Sequence, residues 1–351
     1  MAYTTIDDPE KYFKPVKYVG NLLQHPVEGF NHQPDWLWFK NADTTNSHNI
    51  LDSTRGTDKK IEGTNNTNAE ADTTTRLDSF DSDGFTVETD PSVNGNNNEI
   101  VVFSWAANGG TTSTNNDGNL TSTVQANTTA GFSIVTWTAD GGGSKAVGHG
   151  LGAVPKMIIT KNRTDASTNW QIYHGANTSA PETEVIYFTN GATQDYDGFM
   201  ADTAPTSSTF RVGGDGSMNG TSGKNIIAYC FAEIKGYSRF GSYKGNGGAT
   251  HGTFVYTGFR PAFLIIKGSD SGNREWFIFD NKRDVINPVD TYVKAESADA
   301  NANSNFADFG ANGFKIRSEG ASYNSDGGDF IYMAFAEHPF VSSEGVPKTA
   351  G

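Results

Sequence analysis

One pattern recurs three times along this 351-residue chain, and repetition at fixed spacing restricts a fold more tightly than bulk composition does. Each instance is a proline, an apolar run and a lysine six residues after the proline. The three read Pro34-Asp35-Trp36-Leu37-Trp38-Phe39-Lys40, Pro155-Lys156-Met157-Ile158-Ile159-Thr160-Lys161 and Pro261-Ala262-Phe263-Leu264-Ile265-Ile266-Lys267. A glycine followed by an apolar residue stands ahead of each, at Gly29-Phe30, Gly150-Leu151 and Gly258-Phe259.

Further landmarks keep step. Trp170 and Trp276 both lie 15 residues after their proline, beginning Trp170-Gln171-Ile172-Tyr173 and Trp276-Phe277-Ile278-Phe279. Asn49-Ile50-Leu51-Asp52 aligns with them if one residue is deleted. Gly84-Phe85-Thr86-Val87 recurs as Gly313-Phe314-Lys315-Ile316 and, more loosely, as Phe210-Arg211-Val212-Gly213. Each copy closes on an apolar strand, Ile100 to Trp105, Ile226 to Ala232 and Phe330 to Ala336. The proline-to-aromatic distances are 71, 76 and 74 residues (34 to 105, 155 to 231, 261 to 335).

Alternation and β-branched or aromatic enrichment make these segments strands, and no helical periodicity competes. The 23 Phe, 13 Tyr and 6 Trp supply large buried areas despite a hydrophobic fraction of only 35%. A repeat of this length exceeds a solenoid unit and suits a β-sandwich. The expected fold is all-β: three tandem β-sandwich repeats of jelly-roll or lectin-like type with an N-terminal arm. Residues 1–15 form that arm, 16–107 the first repeat, 131–235 the second, 236–340 the third and 341–351 a C-terminal tail. Residues 108–130, rich in Asn, Thr and Gly, read as a linker or long surface loop. The aromatic junction at 236–243 predicts that the second and third repeats pack together.

The formal net charge of -14, without a cluster of Lys and Arg, argues against a nucleic-acid partner. No 18-residue apolar stretch is present, so no membrane insertion is expected. The first residues lack the basic start and apolar centre of a signal peptide. Cys230 stands alone inside the run Ile226-Ile227-Ala228-Tyr229-Cys230-Phe231-Ala232 and reads as a core residue.

The set of motifs resembles predicted virion proteins of marine bacteriophages, particularly cyanophage-type tail and appendage proteins. The residues carrying the resemblance are Met1-Ala2-Tyr3-Thr4-Thr5-Ile6 with Asp8-Pro9 and Tyr12-Phe13, and Gln33 to Lys40. Gly148 to Ile159, Ala228 to Glu233, Gly241-Ser242-Tyr243 with Gly245-Asn246-Gly247, and Tyr256 to Pro261 complete it. It covers nearly the whole chain. The resemblance implies a structural role in a virion assembled in the host cytoplasm, in a tail, tail fibre or other external appendage, with host attachment as a possible duty. It implies contact with other virion proteins through the N-terminal arm and a homo-oligomer, with a trimer as one candidate form. A host-surface glycan is a candidate ligand. The rival readings are a capsid decoration protein and a carbohydrate-binding receptor-recognition protein.

Candidate chemistry is sparse. Asp81-Ser82-Asp83-Gly84 and Asp195-Tyr196-Asp197-Gly198 offer alternating carboxylates to calcium, but both are shorter than an EF-hand loop and lack its terminal Glu, so turn chemistry is preferred. Gly148-His149-Gly150-Leu151-Gly152 looks like a phosphate loop but leads into a strand. Asp52 with Arg55, and Asp280 with Arg283, read as ion pairs fixing a loop. Trp36, Trp38, Trp170 and Trp276 read as core, whereas Tyr237, Tyr243 and Tyr323 read as exposed loop aromatics suited to contacts. No catalytic, cofactor-binding or metal-ligating residue is assigned, no cofactor is expected and the chain reads as non-enzymatic.

Overall fold

The computed structural model describes residues 3–248 and 251–348. Met1, Ala2 and tail residues 349–351 lie outside the described residues. The described chain is almost entirely β, with only short helical turns such as Pro91–Asn94 and Ala321–Asn324.

Three antiparallel sheets share one strand order. In the first, Phe13–Val19 pairs with Glu99–Trp105, which pairs with Trp36–Asn41, followed by Asn49–Asp52 and Lys59–Glu62. In the second the order runs Phe132–Thr138, Asn225–Ala232, Pro155–Asn162, Gln171–His174 and Glu184–Tyr187. In the third it runs Ser238–Lys244, Asp329–Pro339, Phe259–Gly268, Trp276–Asp280 and Val289–Lys294. Register repeats as well. Trp36 pairs with both Trp105 and Asp52, Met157 with Phe231 and His174, and Phe263 with Phe335 and Asp280.

Short strands cover one face of each sheet and give it a sandwich-like form. His25–Glu28, Gly84–Val87 and Leu77–Asp81 cover the first, Lys145–Gly148 and Thr209–Val212 the second, and Phe254–Tyr256 with Gly313–Ile316 the third. Gly29, Gly150 and Gly258 turn the chain into the long strands with φ of +86°, +72° and +87°. An L side chain resists that conformation, which accounts for glycine at all three places. The next residues, Phe30, Leu151 and Phe259, are buried between the two layers.

Strand alternation then sends side chains to two different cores. Leu37 and Phe39, Ile158, and Leu264 with Ile266 face the three local interiors. Trp36 and Trp38, Met157 and Ile159, and Phe263 and Ile265 face a single interior shared by all three sheets. These rings therefore hold the three units to one another. At the centre the three closing aromatics meet: Trp105 lies 6.2 Å from Phe231 and 5.6 Å from Phe335, and Phe231 lies 6.1 Å from Phe335. Each pair is edge-to-face, the arrangement that ring quadrupoles favour.

Three sequence expectations need correction. The segment 108–130 is no free linker: Ser113–Asn115 and Ser122–Asn127 extend the second sheet beyond Phe132–Thr138. Its start is pinned by the Asp35 carboxylate, which accepts N–H bonds from Ala107, Gly109 and Gly110 at 2.7, 2.9 and 2.9 Å. Asn and Thr are common there because one face of this edge is solvated, while Val124 and Leu120 supply the buried contacts. Residues 3–15 are likewise no free arm. Ile6 and Phe13 lie in the shared core, Tyr3 donates to the carbonyl of Gly258 at 2.9 Å, and Phe13–Val19 is an edge strand, which is why Pro15 is tolerated in it. In the tail, the Ser343 N–H reaches Asp7 at 2.7 Å. Finally, Tyr237, Tyr243 and Tyr323 are buried, not exposed. Tyr237 packs edge-on to Phe335 at 5.5 Å and Tyr243 donates to the carbonyl of Tyr323 at 2.6 Å.

Candidate functional site: a polar cleft beside the second sheet

The residues with the strongest chemistry are mostly spent on architecture. Asp52 and Arg55 form a fully buried pair, with Nε 2.5 Å from Oδ2, and the guanidinium also donates to the carbonyl of Ile50 and to Glu70. Asp280 and Arg283 reproduce it: 2.5 Å between Nε and Oδ2, with a second bond to the carbonyl of Ile278. The expected loop-fixing role matches this geometry, since a desolvated guanidinium is tenable only when its donors are met. His174 occupies the corresponding position of the second sheet and donates to the carbonyl of Tyr332 at 3.0 Å.

The lysine that ends each proline motif is buried. Lys40 donates to the carbonyls of Asn41, Thr44 and Asn46 at 2.7, 2.8 and 2.9 Å. Lys161 is held by the carbonyls of Thr67 and Thr168, and Lys267 by that of Arg274. Burial lowers all three ammonium groups to about 8. Each ties down a loop at one end of the shared core.

The remaining candidates fall into turns. His149 is buried, bonded to the carbonyl of Thr206 and to the N–H of Leu151. Asp83 accepts from the N–H groups of Gly29 and Asn31, and Asp81 from Thr86. Asp195 and Asp197 are exposed. Among the described residues no group of three or more His, Cys, Asp or Glu side chains converges on one point. Cys230 is buried, and desolvation pushes its thiol far above the usual range, out of reach as a nucleophile.

Sequence reasoning missed a buried asparagine that recurs in all three segments. Asn94, Asn219 and Asn324 are fully buried. Their carboxamide oxygens accept from the N–H groups of Asn21, Asp140 and Asn246, and their NH2 groups donate to the carbonyls of Leu23, Gly143 and Gly248. The signal was present as Ser92-Val93-Asn94, Ser217-Met218-Asn219 and Ser322-Tyr323-Asn324.

Beside this latch the three segments diverge. In the first, Arg76 fills the space, donating to Ser92 at 3.3 Å and lying 3.5 Å from Asp90 and 3.7 Å from Glu62. In the third, Phe277 fills it, packed at 4.9 Å on Tyr292 and 5.2 Å on Tyr323. In the second, Gln171 stands at the strand position of Phe277 and Met218 at that of Tyr323, and a cleft of about 500 Å³ remains open. Tyr187 and Tyr196 line it, with Asp165, Thr168, Asp215 and Lys224. The Tyr196 hydroxyl donates to Asp215 at 2.6 Å, as does the N–H of Ser217 at 2.8 Å, and Lys224 is 2.5 Å from Asp165. Those bonds outweigh desolvation and hold the Asp215 carboxyl below its usual range. Its volume is that of a small-molecule site, but apart from Tyr187 and Tyr196 its lining is polar and it lies open to solvent.

A family model described as a domain of unknown function, DUF7483, matches residues 8–339. No curated protein and no solved structure matches the chain.

Proposed function

The chain belongs to the DUF7483 family across residues 8–339, and we propose that it is a non-enzymatic structural protein of a bacteriophage particle. Its place is a tail, tail fibre or other external appendage in a virion assembled in the host cytoplasm. On this reading the chain is three tandem copies of one β-sandwich of jelly-roll or lectin-like kind. One observation carries the structural reading: Trp105, Phe231 and Phe335, the closing aromatics of the three segments, converge in one shared hydrophobic core. Such a body is stiff, and its strongest acids and bases are consumed in holding loops, which suits load-bearing and presentation rather than turnover. The resemblance of its motifs to phage virion proteins supports the setting.

With residues 3–15 bound to their own chain, contacts to other virion proteins or to further copies of this chain fall to exposed apolar side chains. Val285 and Ile286, 71% and 77% exposed on one loop, are the clearest. Labelling purified particles with an antibody against this chain and viewing them by electron microscopy tests the assignment. Label on the tail or its appendages is expected. Label on the head shell selects the capsid decoration reading, and absence from the particle ends the virion assignment.

A further inference from the structure

We propose that the cleft beside the second sheet is a binding site for a neutral glycan, engaged through the Gln171 carboxamide and the rings of Tyr187 and Tyr196. The inference deepens the presentation role proposed above and rests on it for biological purpose alone; binding itself stands on the geometry.

Comparison of the three equivalent places is the first support. The first and third segments fill theirs with Arg76 and with Phe277 and Tyr323, whereas the second leaves open space lined by polar groups. Gln171 is the second. Its side chain is 4% exposed, yet its Oε1 meets no donor within the protein. The carboxamide lines the cleft beside the Tyr187 hydroxyl, and rotation about its last torsion would turn a hydrogen-bonding group toward a ligand hydroxyl.

The surroundings specify the class. Two half-buried tyrosine rings offer flat apolar faces of the kind that pack on the C–H face of a pyranose. Asp165, Asp215 and Lys224 are already fixed by their own bonds, so little side-chain order remains to be lost when vicinal hydroxyls bridge them. A second hollow of about 400 Å³ continues past Tyr196 between Gly198, Gly214 and Gly216, where the missing side chains leave room for a further sugar ring. Negatively charged glycans are disfavoured by the rim carboxylates and by the net charge of -14.

The test is a titration of the full chain, by calorimetry and on an array, with short oligosaccharides of the gluco-, galacto-, manno- and N-acetylglucosamine series, with uronic-acid oligosaccharides alongside. Binding to a neutral series is expected. Gln171→Met, close in volume, should weaken it roughly tenfold, the effect of one good hydrogen bond. Asn169→Trp and Thr221→Trp, at exposed rim positions that disturb no core, should abolish it, while Thr74→Trp on the first segment should leave it unchanged. Silence toward every neutral sugar, preference for the uronic acids, or binding untouched by both rim tryptophans overturns the proposal. None of these outcomes bears on where the chain sits in a particle, which the labelling experiment reads separately.

Discussion

Trp276 donates its indole N–H to the main-chain carbonyl of Tyr187 at 2.9 Å, joining the third segment to the second. The same link recurs around the molecule. Trp170 donates to the carbonyl of Gly63 at 3.0 Å, and His48, which takes the tryptophan position of the first segment, faces the carbonyl of Lys294 at 3.0 Å. Because His48 Nδ1 accepts from Trp38 at 2.8 Å, its Nε2 carries the proton and donates. Each segment therefore reaches its neighbour through one ring N–H, in a closed cycle.

Trp276→Phe keeps most of the apolar area and strands a buried carbonyl. The expected cost is about 1–3 kcal/mol in urea unfolding, and Trp170→Phe should match it. If both variants unfold at the wild-type midpoint, the cycle contributes nothing to stability.

Asp52 is a junction of another kind, taking bonds from Arg55 and from the Tyr229 hydroxyl at 2.8 Å. Asp52→Ala leaves a desolvated guanidinium with Glu70 as its remaining acid, so the loss should approach about 3–5 kcal/mol. Tyr229→Phe should lose about 1–2 kcal/mol. A smaller loss for Asp52→Ala than for Tyr229→Phe would contradict the reading of the pair as desolvated.

Much of this fold was legible in advance. The proline-to-lysine spacing located the central strands, and Gly29, Gly150 and Gly258 marked the turns into them. What alternation left open was the destination of each face. Trp36 and Leu37 are equally apolar, and only the assembled sheets assign one to the shared core and the other to a local one. Burial of both faces also explains Tyr237, whose neighbours in sequence look like a surface junction but whose ring meets Phe335. Residues 108–130 failed for the opposite reason, since an edge strand with a wet face carries little apolar signal. The cleft was invisible because it arises from what Gln171 and Met218 fail to fill, a difference that appears once strand register aligns them with Phe277 and Tyr323.

Stability should fall in mild acid. Desolvation lowers His32 and His174 to about 4 and His48 to about 3, against 6.5 when unfolded. Between about pH 6.5 and 4 the unfolded chain binds more protons than the native one, so acidification drains stability through that window. His174→Gln removes one such group, worth up to about 3 kcal/mol. Its stability should depend less steeply on pH from 6.5 to 4 than the wild type does; parallel profiles would show that His174 is not desolvated.

The three lysines predict a rise at the other end. Their native values of about 8 lie below the unfolded 10.5. Unfolding therefore takes up protons between about pH 8 and 10, and their contribution increases with pH there. Lys40→Met should flatten the rise. It should also cost more at pH 7 than Lys267→Met, because Lys40 serves three carbonyls. Equal losses would mean that those bonds carry no weight.

Differential scanning calorimetry of the whole chain tests the shared core most directly. One transition is predicted, with calorimetric and van't Hoff enthalpies equal. Phe335→Ala, a truncation of a buried ring that costs about 3–5 kcal/mol, should move that transition as a unit. Separate transitions, with only one displaced by Phe335→Ala, would mean that the three segments are independent and would contradict the account.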